Sequence, residues 1–429
     1  MASPRAVSGF GAVKAVMQQR NYALYTFGSS VSLLGLWVHR VAIGWLTWEL
    51  TGSSTWVGLI AFADLIPSVV LTPISGVVVD WFDRRRITLV SQSIAMVQAM
   101  LIGVLVVTGA VNEWWLFGLS LLVGAVWSFN GSARLAMLPN LVEREHMPAA
   151  IAVNSAIFNV ARFVGPALAG AIIAVGGVAH AFFFNAATFV AFIWSLCVIR
   201  ELRQEGRGRV PGSILRQYAE GIRYACRHEG IGPMILLLTI LALGVKPVLD
   251  LLPVIADGEF GRGATGLAHM TASGGLGALF AAVFLARRAT MTGLTTVVLT
   301  AVLMGALSVV AMSVFAFYPV ALACVFLLGA ATTLAGTGTQ TLMQSAVDGA
   351  VRGRVMSLYL VIFRGGPAVG ALALGAAFDW VGVPAALIAG ALAAIAGWLW
   401  SVRRVRRISG VFEAPAVQPR ESSTGAASR

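Results

Sequence analysis

Apolar residues in this 429-residue chain fall into long runs, each of roughly 20 or more and each closed by a short polar or glycine-containing break. Wound as an α-helix, such a run matches the hydrocarbon thickness of a bilayer. Twelve spans are predicted, at roughly 21–50, 55–79, 87–108, 114–137, 148–174, 179–199, 231–252, 264–286, 294–315, 319–341, 353–378 and 383–402. Residues 200–230 break the pattern. They are polar and arginine-rich, with Gly206, Gly208, Pro211 and Gly212 ahead of a helix-like stretch through Ile214, Tyr218, Ile222 and Tyr224. That segment reads as a cytoplasmic linker with an interfacial helix. The expected organisation is an N-terminal cytoplasmic segment (1–20), a six-helix bundle (21–199), the linker (200–230), a second six-helix bundle (231–403) and a disordered tail (404–429).

The two halves resemble each other. Val142-Glu143 opens a stretch that runs to Ile157-Phe158, Arg162 and Gly165-Pro166, and Val347-Asp348 opens one that runs to Ile362-Phe363, Arg364 and Gly366-Pro367. The same features recur in the same order at corresponding spans. That is an internal repeat, the usual build of a transporter.

Composition agrees with the hydropathy. The chain is 58% hydrophobic and 11% charged, too little charge to cover a soluble protein of this length. The formal net charge of +12 raises the question of nucleic acid, and position answers it. Arg84, Arg85, Arg86, Arg144, the stretch 200–227, Arg287, Arg288, Arg352, Arg354 and the tail arginines all fall in alternate breaks, and the intervening breaks hold only Arg262. That asymmetry is the positive-inside pattern. It predicts a multi-pass protein of the bacterial inner membrane with both termini cytoplasmic, lipid as surroundings, and no nucleic-acid partner. Tryptophans fit the same topology: Trp45, Trp48, Trp56, Trp114, Trp115 and Trp380 at outer ends, Trp81, Trp194, Trp398 and Trp400 at inner ends. The first 20 residues hold no apolar core or small-residue site of a cleavable signal. Three cysteines and five scattered histidines have no metal or redox spacing, so no metal or cofactor is expected.

An ionisable side chain inside the bilayer is costly and marks a functional site by default. Four are predicted there: Arg40, Asp64, Lys246 and Asp250. Counted from the ends of their spans, Arg40 and Asp64 reach one level near the midplane. Lys246 and Asp250, four apart, are expected to share a helix face. The carboxylates are candidate proton-coupling groups and the cations their partners. Arg134, Arg162 and Arg364 are placed nearer the cytoplasmic ends, as structural partners of Asp80, Glu143 or Asp348. Trp37, His39, Trp127, Asn154, Asn159 and Gln340 are candidate cavity-lining residues, with helix packing the plainer use of each.

Between the second and third spans, Gly76-Val-Val-Val-Asp80-Trp-Phe-Asp83-Arg84-Arg85-Arg86 resembles the loop signature of the major facilitator superfamily. There Gly76, Asp80, Arg84 and Arg85 are expected to form a cytoplasmic gate, the glycine allowing close helix approach. Gly165-Pro166-Ala-Leu-Ala-Gly170 is similar to the glycine-proline core of the superfamily's antiporter motif, although Ala161 replaces an expected glycine. Further stretches, among them Pro139-Asn140-Leu141-Val142, Asn154-Ser155-Ala156-Ile157-Phe158-Asn159 and Arg352-Gly353-Arg354-Val355-Met356-Ser357-Leu358-Tyr359, resemble the branch holding the enterobactin exporter and macrolide-efflux proteins, the transmembrane secretion effector family.

The resemblance implies an all-α polytopic fold, two six-helix bundles around a central cavity, and alternating access. It implies a monomeric, proton-coupled antiporter that exports a small molecule such as a siderophore or antibiotic. No Gly-x4-Gly-Lys-Ser/Thr phosphate loop occurs, so an ion gradient is the expected energy source. An enzyme is not expected. An importer of the same fold and a non-transporting scaffold remain open on sequence grounds.

Overall fold

Three turns of the first half carry start signals of their own. Ser53 accepts a hydrogen bond from the Trp56 amide, Asp83 from Arg86 and Asn112 from Trp115, so three successive helices begin on side-chain caps. Gly52 supplies the left-handed turn, φ 57°, that ends the helix before Ser53. In a computed structural model the described residues are 10–199, 223, 231–288, 290–347 and 349–413. The predicted interfacial helix within 200–230 lies outside them, as does the end of the tail.

The helices are α1 (Phe10–Gln18), α2 (Arg20–Thr51), α3 (Ser54–Trp81), α4 (Arg84–Val107), α5 (Glu113–Met137), α6 (Met147–Gly176) and α7 (Val178–Val198) in the first half. The second half has α8 (Ile231–Ile240), α9 (Gly263–Arg287), α10 (Leu294–Val314), α11 (Tyr318–Ala346), α12 (Gly349–Val381) and α13 (Val383–Glu413). Among the described residues, eleven spans are long and apolar enough to cross a membrane. The twelfth long helix of the set, α2, is 32 residues long and carries His39, Arg40 and a run of buried Thr26, Ser29 and Ser32, which lower its hydropathy.

The seventh span is not one α-helix. Beyond α8 it passes through a π-helical stretch (Leu241–Val245), a 3-10 turn (Lys246–Leu249), a short α turn (Leu252–Val254) and a second π stretch (Ile255–Glu259). Pro247 and Pro253 remove amide donors there, and the backbone changes its winding at each. Lys246 and Asp250 therefore do not stand one above the other on a regular face, as their spacing predicts.

Packing repeats between the halves. In the first, α2 packs on α7 and α6, α3 on α5, and α4 on α5 and α7. In the second, α8 packs on α13 and α12, α9 on α11, and α10 on α11 and α13. The repeat seen in sequence is thus a repeat of neighbours. The Gly-Pro elements show why: a Cβ at Gly165 would stand 2.3 Å from Trp37 Cβ on α2, and one at Gly366 would stand 2.6 Å from Ala242 Cβ in the seventh span. Two further pairs join the bundles to each other, α3 with α12 and α6 with α9.

Within the N-terminal segment, Val16 of α1 is fully buried with Tyr22, Met137 and Phe192. The last helix runs to Glu413, ten residues past the predicted end of the second bundle at 403. Its carboxylate accepts from the Gly293 and Thr295 amides at 2.5 and 2.9 Å and caps α10.

Candidate functional site

The midplane charges come from five spans of both bundles. Arg40 (α2) and Asp64 (α3) form an ion pair at 3.5 Å, and their side chains are 42% and 26% accessible. A group in mid-helix, surrounded by other charged groups and still reached by solvent, faces an open cleft. Lys246 turns to α12, where its ammonium donates to the Phe363 carbonyl at 2.8 Å and sits 3.8 Å over the Phe363 ring. No ion pair joins it to Asp250 among the described residues. Asp250 instead lies within the electrostatic reach of Lys246, Arg40, Asp64 and Arg162 together.

Two arginines that the sequence placed near the cytoplasmic ends belong to this cluster. Arg162 is the sixteenth residue of α6 and interacts with Arg40 and Asp250, and Arg364, midway along α12, interacts with Arg40 and Lys246. Their depth was legible by counting from the ends of long helices, as for Arg40 and Asp64. The predicted spans, 148–174 and 353–378, already centre on these two residues, so their placement towards the cytoplasmic ends did not follow from the span boundaries. Arg134 does sit in a structural role, with other partners than expected: its guanidinium donates to Tyr25 Oη at 3.2 Å and to Ser29 Oγ.

The aromatic candidates separate. Trp37 lies in the cluster, with Arg40 and Arg162 guanidiniums 5.3 and 5.8 Å from its ring and Phe158 edge-on at 5.9 Å. Its buried indole N–H finds no partner among the described residues. His39 points the other way, buried edge-on against Phe182 of α7 at 5.3 Å. Trp127 packs on Ala95, Val123 and Phe189 inside the first bundle. Asn159 donates to the Ser155 carbonyl of its own helix. Asn154 and Gln340 are partly accessible, and no contact ties either to the charges. A separate groove of about 650 Å³, lined by Trp81, Phe82, Arg86, Val90, Ile94 and Phe129, opens elsewhere and holds none of the midplane charges. Exposed Glu143 and Glu145 and half-buried His146 also come together at the turn before α6.

Contacts between the bundles are concentrated at one end, the one poor in arginine. Asp379, near the end of α12, accepts from Ser53 Oγ (2.8 Å), the Ser54 amide (3.0 Å) and the Thr55 amide (2.9 Å), and so caps α3 of the opposite bundle. Trp48 Nε1 donates to Asp257 at 2.8 Å across the same interface. Small residues let the backbones meet: a Cβ at Gly58 would fall 2.3 Å from the Ala371 carbonyl, and one at Gly170 would fall 2.0 Å from Ala268 Cβ. Gly170 of the antiporter-like motif is thus an interface residue between bundles, whereas Gly165 and Pro166 are buried within the first.

The gating loop at the other end is arranged differently. A Cβ at Gly76 would meet nothing within 4 Å, so this glycine is not at a close helix approach here, contrary to expectation. Arg84 donates to the Ala136 carbonyl and Arg85 to the Cys197 carbonyl, each at 2.9 Å. Both satisfy the carboxyl-terminal turn of a helix within their own bundle. The Asp80 side chain lies outside the described ones.

Comparison with known proteins gives the same picture. A family model described as transmembrane secretion effector matches residues 13–421. The multidrug efflux pump Tap of Mycobacterium tuberculosis (strain ATCC 25618 / H37Rv) is 29% identical over 400 residues, covering 89% of this chain and 92% of that protein. The staphyloferrin A transporter of Staphylococcus aureus (strain NCTC 8325 / PS 47) is 24% identical over 366 residues, 84% and 90% of the two chains. Among solved structures, an inward-facing, occupied bacterial homologue of the human lysosomal transporter Spinster superposes with a TM-score of 0.68 at 12% identity, covering 95% and 100%.

Proposed function

The chain belongs to the transmembrane secretion effector family of major-facilitator transporters, and from that membership we propose that it is a proton-coupled exporter of a small molecule. It is a multi-pass membrane transporter and not an enzyme. The finer reading takes the arginine-rich end as cytoplasmic, by the positive-inside rule, in a bacterial inner membrane with the protein working as a monomer. The glycine-packed, Asp379-capped end then faces out, and the cluster around Arg40 opens inward.

One observation carries the reading: an accessible charge cluster shared by both bundles lies between a closed end and an end whose signature glycine meets open space. Alternating access needs that geometry, a site at the interface of two repeats and a contact on one side that can be exchanged for one on the other. Asp64 and Asp250 are the acceptors for a coupled proton. Asp64 pairs with Arg40, and Asp250 lies within electrostatic reach of Lys246, Arg40, Asp64 and Arg162, so a movement that alters either set of interactions changes the affinity for a proton. Likeness to the multidrug efflux pump Tap favours export over uptake.

The test is a deletion strain screened for susceptibility to antibiotics, metals and siderophores, with cellular accumulation measured for any compound that scores. Export predicts greater accumulation in the deletion strain. Lower accumulation would make the protein an importer.

A further inference from the structure

The charges in the cleft do not cancel. Among the described residues the cluster holds four cations, Arg40, Arg162, Lys246 and Arg364, against two carboxylates, Asp64 and Asp250. Only Arg40 is ion-paired, and Lys246 is satisfied by a neutral carbonyl. Among the described residues, Arg162 and Arg364 have no ion-pair partner and no carboxylate other than Asp64 and Asp250 interacts with the cluster. A surplus of two positive charges in mid-membrane is costly unless something negative shares the space. It also focuses a positive potential into a cleft with low-dielectric walls.

The rest of the lining has the same preference. Each bundle seats a cation on an aromatic face: Arg40 and Arg162 about Trp37, and Lys246 over Phe363, which stacks on Tyr359 at 5.4 Å. The Trp37 indole N–H is a buried donor still without an acceptor. Unmatched donors and cations outnumber acceptors, and flat rings lie beside them. A cationic ligand would meet repulsion from four sides and leave that N–H unsatisfied.

We infer that the substrate is an organic anion: a small molecule with a flat conjugated part and about two negative charges, such as carboxylates. This rests on the transport reading and narrows its substrate. Arg162 and Arg364 are its recognition residues, and Trp37 and Phe363 its stacking faces.

The experiment compares two dyes with a shared xanthene ring and opposite charge, fluorescein as a dianion and rhodamine 123 as a cation, at about pH 8. Binding to the purified full-length protein in nanodiscs is read by fluorescence anisotropy, which needs no transport. Saturable fluorescein binding is expected, weakened about tenfold by Arg162→Gln and likewise by Arg364→Gln, with rhodamine 123 binding much more weakly. Arg364 is solvent-accessible and makes no ion pair among the described residues, so its variant tests the idea even where Arg162→Gln fails to fold. Preference for rhodamine 123, binding of neither dye, or fluorescein binding unchanged in Arg364→Gln overturns the inference. None of these bears on export, which the accumulation of compounds in the deletion strain decides separately.

Discussion

Replacing Asp379 isolates the latch that holds the arginine-poor end closed. Its carboxylate takes three hydrogen bonds from the start of α3, at 2.8–3.0 Å, and two of the three donors are backbone amides of a helix N-terminus. A helix cap is worth about 1 kcal/mol, and the charge at the positive end of the helix adds several tenths. Asp379 is exposed, so solvent screening removes part of the charge contribution. The latch therefore contributes about 1–2 kcal/mol to the closed state, an equilibrium factor of roughly 5 to 30. Asp379→Ala loses all of it and Asp379→Asn about half, and neither touches the midplane. Spin labels at Glu49 and Val381, exposed on opposite bundles at this end, report the separation by pulsed electron resonance. The expected result is a second, longer distance whose population grows in the order wild type, Asp379→Asn, Asp379→Ala. Identical distance distributions in all three proteins, at equal folded abundance, would mean that the contact does not bear on the equilibrium.

Other perturbations follow from the same geometry. Asp257→Asn weakens the Trp48 contact and should open the same end by a smaller factor, read with the same label pair. Gly170→Leu places a side chain where a Cβ alone would come 2.0 Å from Ala268 Cβ, so it should force α6 and α9 apart and abolish transport, while Gly76→Ala, into open space, should leave folded yield unchanged in a thermal-stability assay. Burial raises the Glu413 pKa, but hydrogen bonds from the Gly293 and Thr295 amides outweigh it, and the carboxyl stays below its ordinary value of 4.5. The stability it contributes is thus complete above about pH 4.5 and lost only as pH falls through the lower folded value, so Glu413→Gln should lower the melting temperature at pH 7 and converge with wild type in acid. Single cysteines at Arg86 and Glu259, in a chain lacking Cys197, Cys226 and Cys324, should label with an impermeant reagent from opposite sides of the membrane. Labelling of both on intact cells would overturn the assigned orientation.

Hydropathy made the membrane spans legible because each span must be apolar for its full length, whatever its neighbours. The Arg40–Asp64 pair was legible for a related reason: two antiparallel helices joined by a short turn fix the depth of each residue. The seventh span was not. Its prolines warn of irregularity, but π and 3-10 stretches depend on which carbonyls the neighbouring helices satisfy, and Lys246 found the Phe363 carbonyl rather than Asp250. His39 and Trp127 were assigned to the cavity because polarity and depth say nothing of direction around the helix, and packing against Phe182 and Phe189 set that direction. Asp379, one residue past the predicted span 353–378, caps a helix of the other bundle. Only the tertiary structure brings residues 326 positions apart together.

The central claim is export driven by protons through a midplane carboxylate, and everted membrane vesicles test it most directly. With the compound to which the deletion strain is most sensitised as probe, uptake into vesicles acidified inside by respiration should be saturable and abolished by an uncoupler. It should also fail in Asp64→Asn, with the variant folded and still binding the probe. Undiminished gradient-driven uptake in both Asp64→Asn and Asp250→Asn, or uptake indifferent to the uncoupler, would contradict the account.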